Sequence, residues 1–278
     1  NVLDSSRVRV PFGIAQYGKS FRNEITPGNF IFRTREFEQM ELEFFIKPGE
    51  EKKWFDYWLE HSMGWYLSLG INKKKLRVRM HEQAELAHYS TMTADIEYEF
   101  PFGWGELQGI SHRGSYDLDQ HIKLSGQKLQ YRDPISNEVY VPHVIEPAWG
   151  LTRTLMTVML DAFEVEKMEN GEDRTVMHFD SKIAPVQVAV FPLQKDLNSE
   201  AEKLYLSLKK NFRAEFDESG AIGKRYRRQD EIGTPFCVTF DFESREDKSV
   251  TVRNRDSMKQ ERVKIKDLVP WLSRALEA

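Results

Sequence analysis

Two neighbouring segments near the start of the chain combine arginines, carboxylates and aromatic rings in a pattern that suits a charged, flat ligand. They are FRNE at residues 21–24 and FRTREFEQMELEFF at residues 32–45. Strand alternation in the second segment gives two faces: Phe37, Gln39, Glu41 and Glu43 on one, and Met40, Leu42 and Phe44 on the other. Carboxylates bind an ammonium group and aromatic rings stack on bases, so the first face predicts a polar pocket. A solvated acidic face on an edge strand gives the same alternation, and that alternative stays open.

The elements that position these side chains follow from periodicity. Strands are predicted at residues 8–16 and 37–46, joined by a polar loop, and a helix with an aromatic face at residues 50–69. Further strands are predicted at residues 76–80, 96–100, 106–110 and 139–144, an irregular or helical stretch at 81–94, and an amphipathic helix at 151–164. Together they predict an α+β domain built on an antiparallel sheet with flanking helices.

The second part of the chain has a different character. Residues 166–181 are charged and lack periodicity, which predicts a linker between a domain at residues 1–165 and one at residues 182–278. The later residues predict strands at 186–191, 236–242, 249–253 and 262–265, and helices at 199–216, 223–232 and 267–276. This order predicts a small α/β domain with a mixed sheet.

Composition excludes several classes of protein. The 278 residues include 40 Lys and Arg against 44 Asp and Glu, so the chain is not a general polycation for nucleic acid or membrane. A single cysteine excludes an intramolecular disulfide framework and a zinc site built on several thiolates, and it favours a reducing, cytoplasmic compartment. The apolar runs are far shorter than the ~20 residues that cross a bilayer, and no signal peptide is indicated.

The histidines and the cysteine do not predict a reactive site. HEQAELAH at residues 81–88 places its histidines seven apart rather than the four of a zinc protease, so no metal role is expected for His81, His88, His112 or His121. Cys237 lies in an apolar strand and is expected to be an inert core thiol.

A basic run in the second domain has two interpretations. Lys224, Arg225, Arg227 and Arg228 surround Tyr226, and Arg253, Arg255 and Arg262 follow on predicted strands. The run is either a solvated helix face or a contact surface for single-stranded RNA.

These motifs together resemble a known family. FRNE followed by Arg33 and Phe37 resembles motif 2 of the class II aminoacyl-tRNA synthetases, and the surrounding text is similar to glycyl-tRNA synthetases in particular. Similar signatures follow in family order: HEQAELAHYS, DIEY, FPFGWGELQGI, SYDLDQH, VPHVIEPAWGLTR and, in the second domain, GKRYRRQDEIGTPFCVTFDF. The resemblance covers nearly the whole chain.

The resemblance implies an ATP site. Arg22 matches the position that holds the α-phosphate, Phe37 stacks on adenine, and Arg153 reaches the γ-phosphate, which makes Arg22 and Arg153 the expected catalytic residues. Glu106 is expected near Mg²⁺. The implied ATP-binding set is Arg22, Asn23, Glu24, Phe32, Arg33, Thr34, Arg35, Glu36, Phe37, Glu106, Leu107, Gly150, Leu151, Thr152 and Arg153.

The resemblance also implies a glycine site, in which Glu41 and Glu146 bind the ammonium group while Gln39 and Trp149 close the space. The implied set is Phe37, Glu38, Gln39, Met40, Glu41, Glu146, Pro147, Ala148, Trp149 and Gly150. The sequence departs from the family at Ala148, where a serine is usual, and at Thr152, where bacterial members often have an acidic residue.

The implied activity is activation of glycine with ATP and Mg²⁺ and its transfer to tRNA(Gly), by a protein that is a homodimer at full length. The implied tRNA contacts are Lys224, Arg225, Arg227, Arg228, Arg253 and Arg255. Motif 1 and a loop resembling TRPETAQG precede this region in the family, so the chain is expected to be the C-terminal two thirds of a synthetase and not fully active alone. A non-catalytic, synthetase-like nucleic-acid-binding or accessory protein is the alternative.

Overall fold

The computed structural model describes residues 2–277. The chain divides into two compact units, Asn1–Thr157 and Val158–Ala278, and each is described by itself. Within residues 2–277, no helix combines the length and the apolar character needed to cross a membrane.

The first unit is built on an antiparallel sheet. Its strands are β1 (Phe12–Phe21), β2 (Glu36–Ile46), β3 (Leu76–Met80), β4 (Met92–Phe100), β5 (Gly103–Gly114), β6 (Tyr131–Arg132), β7 (Val139–Tyr140) and β8 (His143–Gly150). Its helices are α1 (Val2–Ser6), α2 (Glu51–Ser68), α3 (Tyr116–Ser125) and the start of α4 (Leu151–Ala162). Six strands pair in the order β1-β2-β8-β5-β4-β3, and β6 pairs with β7. This confirms the predicted α+β domain.

Helix α2 covers one face of this sheet. A buried cluster joins Phe55 of α2 to Ile46, Ala94, Ile110 and Ile145 of four different strands. Phe44 of β2 contacts the rings of Trp54 and Trp58, with centroids 4.9 and 5.2 Å away. The apolar half of the β2 alternation therefore faces α2, and the polar half faces the other side of the sheet.

The second unit is a small α/β unit with a mixed sheet. Its strands are β9 (Phe163–Lys167), β10 (Asp173–Met177), β11 (Val188–Pro192), β12 (Ala214–Phe216), β13 (Phe236–Phe240), β14 (Ser249–Asn254) and β15 (Gln260–Lys264). Its helices are α5 (Asn198–Leu208), α6 (Ile222–Ile232), α7 (Glu243–Asp247) and α8 (Leu268–Glu277). The sheet order is β12-β11-β13-β14-β15, with β11 parallel to both neighbours and the last three strands antiparallel. The predicted mixed sheet is confirmed.

Some elements differ from the sequence prediction. The helix predicted at residues 199–216 ends at Leu208, because Ala214–Phe216 forms strand β12 beside β11. Residues 166–181, predicted as a linker without regular structure, contain most of the antiparallel hairpin β9–β10. Helices α3 and α7 were not predicted.

Candidate active site

A pocket of about 310 Å³ opens on the face of the first unit's sheet that α2 leaves uncovered. It is lined by Arg22, Glu24, Ile31, Phe32, Arg33, Thr34, Phe37, Glu38, Gln39, Glu41, Tyr89, Glu106, Leu107, Gly109, Ser111, Arg113, Glu146, Ala148, Gly150, Thr152 and Arg153. Arginines and carboxylates dominate this lining, so the pocket suits a ligand that carries both signs of charge.

Three adjacent strands, β2, β8 and β5, form the pocket floor in paired rows. Gln39 pairs with Gly150, Glu41 pairs with Ala148, Ala148 pairs in turn with Gly109, and Glu146 pairs with Ser111. Alternate residues of a strand share a face, and the register therefore brings these side chains to one side. The face predicted for β2 is thus a pocket face and not a solvated edge.

Arg113 binds two carboxylates beside this floor. Its Nη1 donates to Oε2 of Glu146 at 2.6 Å, and its Nε donates to Oδ2 of Asp117 at 2.7 Å. The guanidinium also stacks on Tyr89, with its central carbon 4.2 Å from the ring centroid. Sequence reasoning missed both Arg113 and Tyr89. The signal that could have found Arg113 is the alternation Gly109, Ser111, Arg113 along β5.

Glu43, which shares the pocket face of β2 but is not among the lining residues, and Glu146 of the floor repel each other. Burial raises the pKa of Glu43 to about 7, and the charge of Glu146 adds to this effect while Arg113 opposes it. Burial also raises the pKa of Glu146, against the lowering by its hydrogen bond to Arg113. A cation that enters this part of the pocket relieves the repulsion, so the floor can bind an ammonium group.

Arg153, in the first turn of α4, is held by oxygen acceptors and by an aromatic ring. Its Nε donates to the main-chain oxygen of Phe32 at 2.9 Å, and its Nη1 donates to the main-chain oxygen of Glu106 at 2.8 Å. The guanidinium carbon lies 4.2 Å from the Phe32 ring centroid, and Nη1 is 3.4 Å from the Glu106 carboxylate. These contacts fix a guanidinium at the pocket wall, where it can bind a phosphate.

The loop between β1 and β2 presents Arg22 to the same pocket. The amide of Arg22 donates to the main-chain oxygen of Arg35 at 2.9 Å, and Nε of Arg35 donates to the main-chain oxygen of Glu24 at 3.0 Å. The Arg22 guanidinium carbon lies 5.2 Å from the centroid of the Phe37 ring. The loop is therefore tied down at its base, with a cation beside an aromatic face.

Two carboxylates converge above Gly109. A Cβ atom added at Gly109 comes within 3.7 Å of Oε1 of Glu106 and 3.8 Å of Oδ1 of Asp95. The other oxygen of Asp95 lies 2.7 Å from Nε2 of His81. Burial raises the pKa of Asp95, and Glu106 adds to this, whereas the hydrogen bond to His81 lowers it. Carboxylate oxygens are the ligands that hard divalent cations prefer.

Most residues of the implied ATP and glycine sets line the pocket, and seven do not: Asn23, Arg35, Glu36, Met40, Pro147, Trp149 and Leu151. Arg35 instead supports the loop, and Glu36 forms an ion pair with Lys19. Asn23 is exposed, and Leu151 is the first residue of α4.

The expectation that Trp149 closes the glycine pocket is wrong. Its ring lies 6.3 Å from that of Trp65 in α2, on the helix side of the sheet. Met40 pairs with Trp149, and Pro147 shares the same alternation, so both also lie on that side. Neighbours along a strand point to opposite faces, and Glu146 and Ala148 of β8 therefore line the pocket whereas Pro147 and Trp149 do not.

The basic residues predicted for RNA contact divide into two groups. Arg225, Arg253 and Arg255 are buried: Arg225 donates to the main-chain oxygens of Pro192 and Gly220, Arg253 pairs with Asp230, and Arg255 donates to Phe179 and Gly233. This corrects their placement on an exposed basic surface, since their guanidiniums bond to groups inside the unit.

The second group is at least partly exposed. Lys224 is exposed, whereas Arg227 and Arg228 are partly exposed, with Arg228 paired to Asp217. Arg262 pairs with Asp241 and Asp247.

Cys237 is buried in β13, and burial raises the pKa of its thiol far above the ordinary value, so the core role predicted for it fits. His88 packs against Tyr89 and Tyr116, and His121 is exposed on α3.

The chain matches the sequence descriptions of two protein families. Residues 2–163 match the tRNA synthetase class II core domain (G, H, P, S and T). Residues 187–275 match an anticodon binding domain.

It is also similar over its length to proteins named glycine--tRNA ligase. The identity is 57% to the protein of Caldanaerobacter subterraneus subsp. tengcongensis, over 100% of this chain and 60% of the relative. It is 56% to that of Geobacillus thermodenitrificans, over 99% of this chain and 59% of the relative. The identity is 55% to the protein of Clostridium acetobutylicum, over 100% of this chain and 60% of the relative. The chain thus spans about three fifths of the length of these relatives.

Proposed function

The chain belongs to the class II aminoacyl-tRNA synthetases, and from this membership we propose that it carries the adenylate-forming site and the anticodon-binding part of a glycine--tRNA ligase. One observation carries the proposal: the carboxylates of Glu41 and Glu146 line the same pocket as the guanidiniums of Arg22 and Arg153. Carboxylates match the ammonium of an amino acid and guanidiniums match phosphates, which are the charged groups that adenylate formation brings together.

Glycine binds at the acidic floor. The ammonium group lies between Glu41 and Glu146, and Gln39 flanks it on the same face of β2. Arg113 holds Glu146 in place through the bond at 2.6 Å. Selection of glycine comes from leaving no room for a Cβ atom, because steric exclusion discriminates between small apolar groups better than attraction does.

ATP binds along the basic wall. Arg22 donates to the α-phosphate, adenine stacks on Phe37, and Arg153 donates to the γ-phosphate from the first turn of α4. The partial positive charge at a helix N-terminus adds to the attraction for phosphate. Glu24, Phe32, Arg33, Thr34 and Thr152 complete this wall.

The donor set near ATP fits Mg²⁺. Glu106 and Asp95 present carboxylate oxygens over Gly109, which has no side chain of its own. Mg²⁺ is bound in proteins by one or two carboxylates together with substrate phosphates. When bound, the ion neutralises phosphate charge. The contribution of the chain is to hold these two carboxylates, with Arg153 fixing the main chain of Glu106.

No side-chain nucleophile is needed for the reaction. A carboxylate oxygen of glycine attacks the α-phosphorus, the bond to pyrophosphate breaks, and Arg22 stabilises the charge on the transferring phosphoryl group. The terminal ribose hydroxyl of tRNA then attacks the glycyl carbonyl and displaces AMP. Orientation and charge neutralisation supply the rate enhancement.

The second unit binds the anticodon of tRNA(Gly). The residues available for RNA contact on α6 are Lys224, Arg227 and Arg228. A titration of tRNA(Gly) and of a tRNA with another anticodon at two salt concentrations tests this role. We expect tighter, salt-dependent binding of tRNA(Gly). The double substitution Lys224→Ala with Arg227→Ala is expected to weaken this binding, and Lys203→Ala, at an exposed position of α5, is expected to leave it unchanged. Equal affinity for both RNAs contradicts it.

We also propose that the catalytic part ends near residue 165, that the anticodon-binding part begins near residue 182, and that the full-length protein is a homodimer in the cytoplasm.

Glycine-dependent exchange of pyrophosphate into ATP tests the catalytic proposal. The assay uses a protein as long as the relatives and tests each of the common amino acids in turn. Exchange is expected with glycine alone. Exchange with alanine or serine instead of glycine contradicts the substrate. If none of the amino acids supports exchange while tRNA binding is retained, the result favours a non-catalytic accessory protein.

A further inference from the structure

Three side chains with metal-binding atoms meet on the helix side of the first unit's sheet, away from the pocket. They are Glu51, the first residue of α2, His112 of β5, and His143, the first residue of β8. Each offers one nitrogen or oxygen atom, and these three atoms lie within 4.8 Å of one another. His112 alternates with the pocket residues Ser111 and Arg113, so it points to the opposite face.

One imidazole nitrogen in this cluster is buried without a hydrogen-bond partner, and a second faces the carboxylate of Glu51. His112 is only 5% exposed, and its Nε2 has no partner. Nδ1 of His143 is also buried, and it lies 2.8 Å from Oε1 of Glu51, its one charged neighbour in the cluster. Buried polar atoms in folded proteins are nearly always paired, so the unpartnered Nε2 of His112 beside the Glu51–His143 pair points to a missing partner.

The surroundings of the cluster orient its atoms as ligands. Nδ1 of His112 contacts the hydroxyl of Thr91, which leaves Nε2 as the nitrogen with a free lone pair when Nδ1 carries the proton. Oε1 of Glu51 accepts the amide of Gly49 at 2.8 Å. Metal-binding histidines commonly donate their second ring nitrogen to such a partner, and metal-binding carboxylates are similarly held.

We propose that Glu51, His112 and His143 bind a divalent transition-metal ion, best matched by Zn²⁺, which ties the first turn of α2 to β5 and β8. Two imidazoles and one carboxylate are a known zinc ligand set, whereas Mg²⁺ and Ca²⁺ prefer oxygen ligands alone. Tetrahedral coordination with bonds of ~2.1 Å places ligand atoms about 3.4 Å apart, so modest side-chain movements close the site. Glu51 and His143 are 23% and 25% exposed, which leaves the fourth position to water.

Titration of the metal-free chain with Zn²⁺ in a calorimeter, and with Co²⁺ followed by visible absorption, tests the site. We expect one ion at this site, the intense visible bands of four-coordinate Co²⁺, and a higher Tm with Zn²⁺. Glu51→Gln and His143→Asn are expected to weaken binding by at least ~10–100-fold, since even outer partners of metal ligands have effects of that size. Both side chains are partly exposed, so Glu51→Gln and His143→Asn are expected to fold. They test the site even if replacement of the buried His112 by asparagine unfolds the protein.

Two control variants separate this site from other histidines. His121→Asn changes an exposed histidine of α3 and is expected to leave binding unchanged. His178→Asn removes the histidine of the cluster with Glu164 and Glu166 in the second unit, and it is expected to leave the Co²⁺ spectrum unchanged. Absence of binding by the unsubstituted chain overturns the proposal. So does binding that survives both Glu51→Gln and His143→Asn, or that is lost in His178→Asn alone.

Discussion

Arg113 donates to Glu146 beside the acidic floor of the pocket, with 2.6 Å between Nη1 and Oε2, and the same guanidinium holds Asp117. The side chains of Arg113 and Glu146 are only 17% and 16% exposed. Removal of one partner therefore leaves a charge largely out of water, which is far more costly than the loss of an exposed pair. In the proposed glycine site, Arg113 is a positioning residue that fixes the Glu146 carboxylate where the ammonium of glycine is expected to bind.

Replacement of Arg113 by methionine is expected to raise KM for glycine by about tenfold or more and to leave KM for ATP nearly unchanged, because only the ammonium site loses its support. Arg113→Lys is expected to have an intermediate effect, since an ammonium keeps the positive charge but lacks the planar set of N–H donors with which a guanidinium binds two carboxylates. Steady-state pyrophosphate exchange measures both constants. Arg132→Met, at an exposed arginine, is the control. An equal rise in both KM values contradicts the assignment.

Glu43 is expected to make stability depend on pH. Burial raises its pKa from 4.5 to about 7, so the folded state holds this proton more tightly than the unfolded state does. The stabilisation is complete below about pH 4.5 and is lost as pH rises through 7. Glu43→Gln is therefore expected to raise Tm at pH 8 and to have little effect at pH 5. Thermal unfolding at pH values from 5 to 8 measures this difference in Tm, with Glu60→Gln at an exposed position of α2 as the control. A gain of the same size at both pH values contradicts the interpretation.

The sequence predicts the pocket face of β2 because alternation is a local property. Phe37, Gln39 and Glu41 line the pocket as the period of two requires. The same rule applied to β8 separates Glu146 and Ala148 from Pro147 and Trp149. Assigning a whole contiguous motif to one pocket ignored that rule, which is why Trp149 was misplaced.

Contacts between distant residues could not be predicted in this way. Arg253 was predicted to contact RNA at the surface, but it is buried and forms an ion pair with Asp230. Asp230 also pairs with Arg174. Arg174 precedes Asp230 by 56 positions, and no local pattern marks the pair. The helix predicted at residues 199–216 was too long for a related reason. Ala214–Phe216 becomes a strand only through its pairing with the distant strand β11.

Ala148 gives a direct test of the glycine site. It pairs with Glu41 on one side and Gly109 on the other, and it lines the pocket. Ala148→Ser adds a hydroxyl that can bond to a bound glycine, and a hydrogen bond contributes ~0.5–1.5 kcal/mol net. We therefore expect KM for glycine to fall by about 2–10-fold, with KM for ATP unchanged. Ala87→Ser, at an exposed position, is the control, and an unchanged KM for glycine contradicts the placement.

Arg153→Ala is expected to lower glycine-dependent exchange by ~10²-fold or more, because it removes a donor to a charged transition state. The substitution also frees the main-chain oxygens of Phe32 and Glu106. Circular dichroism and Tm must therefore show that the fold persists. Arg245→Ala, which removes a partly exposed ion pair with Glu200, is the matched control. Exchange within about threefold of the unsubstituted protein contradicts a role for Arg153 in the reaction.

The hairpin β9–β10 is expected to be part of the stable core of the second unit and not a dispensable linker. Arg174 of β10 is 1% exposed, and its Nε donates to the equally buried carboxylate of Asp230 at 2.9 Å. Its Nη2 donates to the main-chain oxygen of Arg255 at 2.6 Å, and its Nη1 donates to Glu166 of β9. A fragment that begins at residue 182 lacks Arg174 and leaves Asp230 with Arg253 alone.

Two fragments, residues 163–278 and 182–278, test this role by urea unfolding. The free energy of unfolding of the shorter fragment is expected to be lower by ~3 kcal/mol or more, since breaking a buried ion pair at one side typically has that effect. Arg174→Met in the longer fragment is expected to reproduce part of the loss, while Lys167→Met, which removes an exposed ion pair of the same hairpin, is expected to change little. Equal unfolding midpoints for the two fragments contradict the hairpin's role and show that residues 182–278 reach full stability without it.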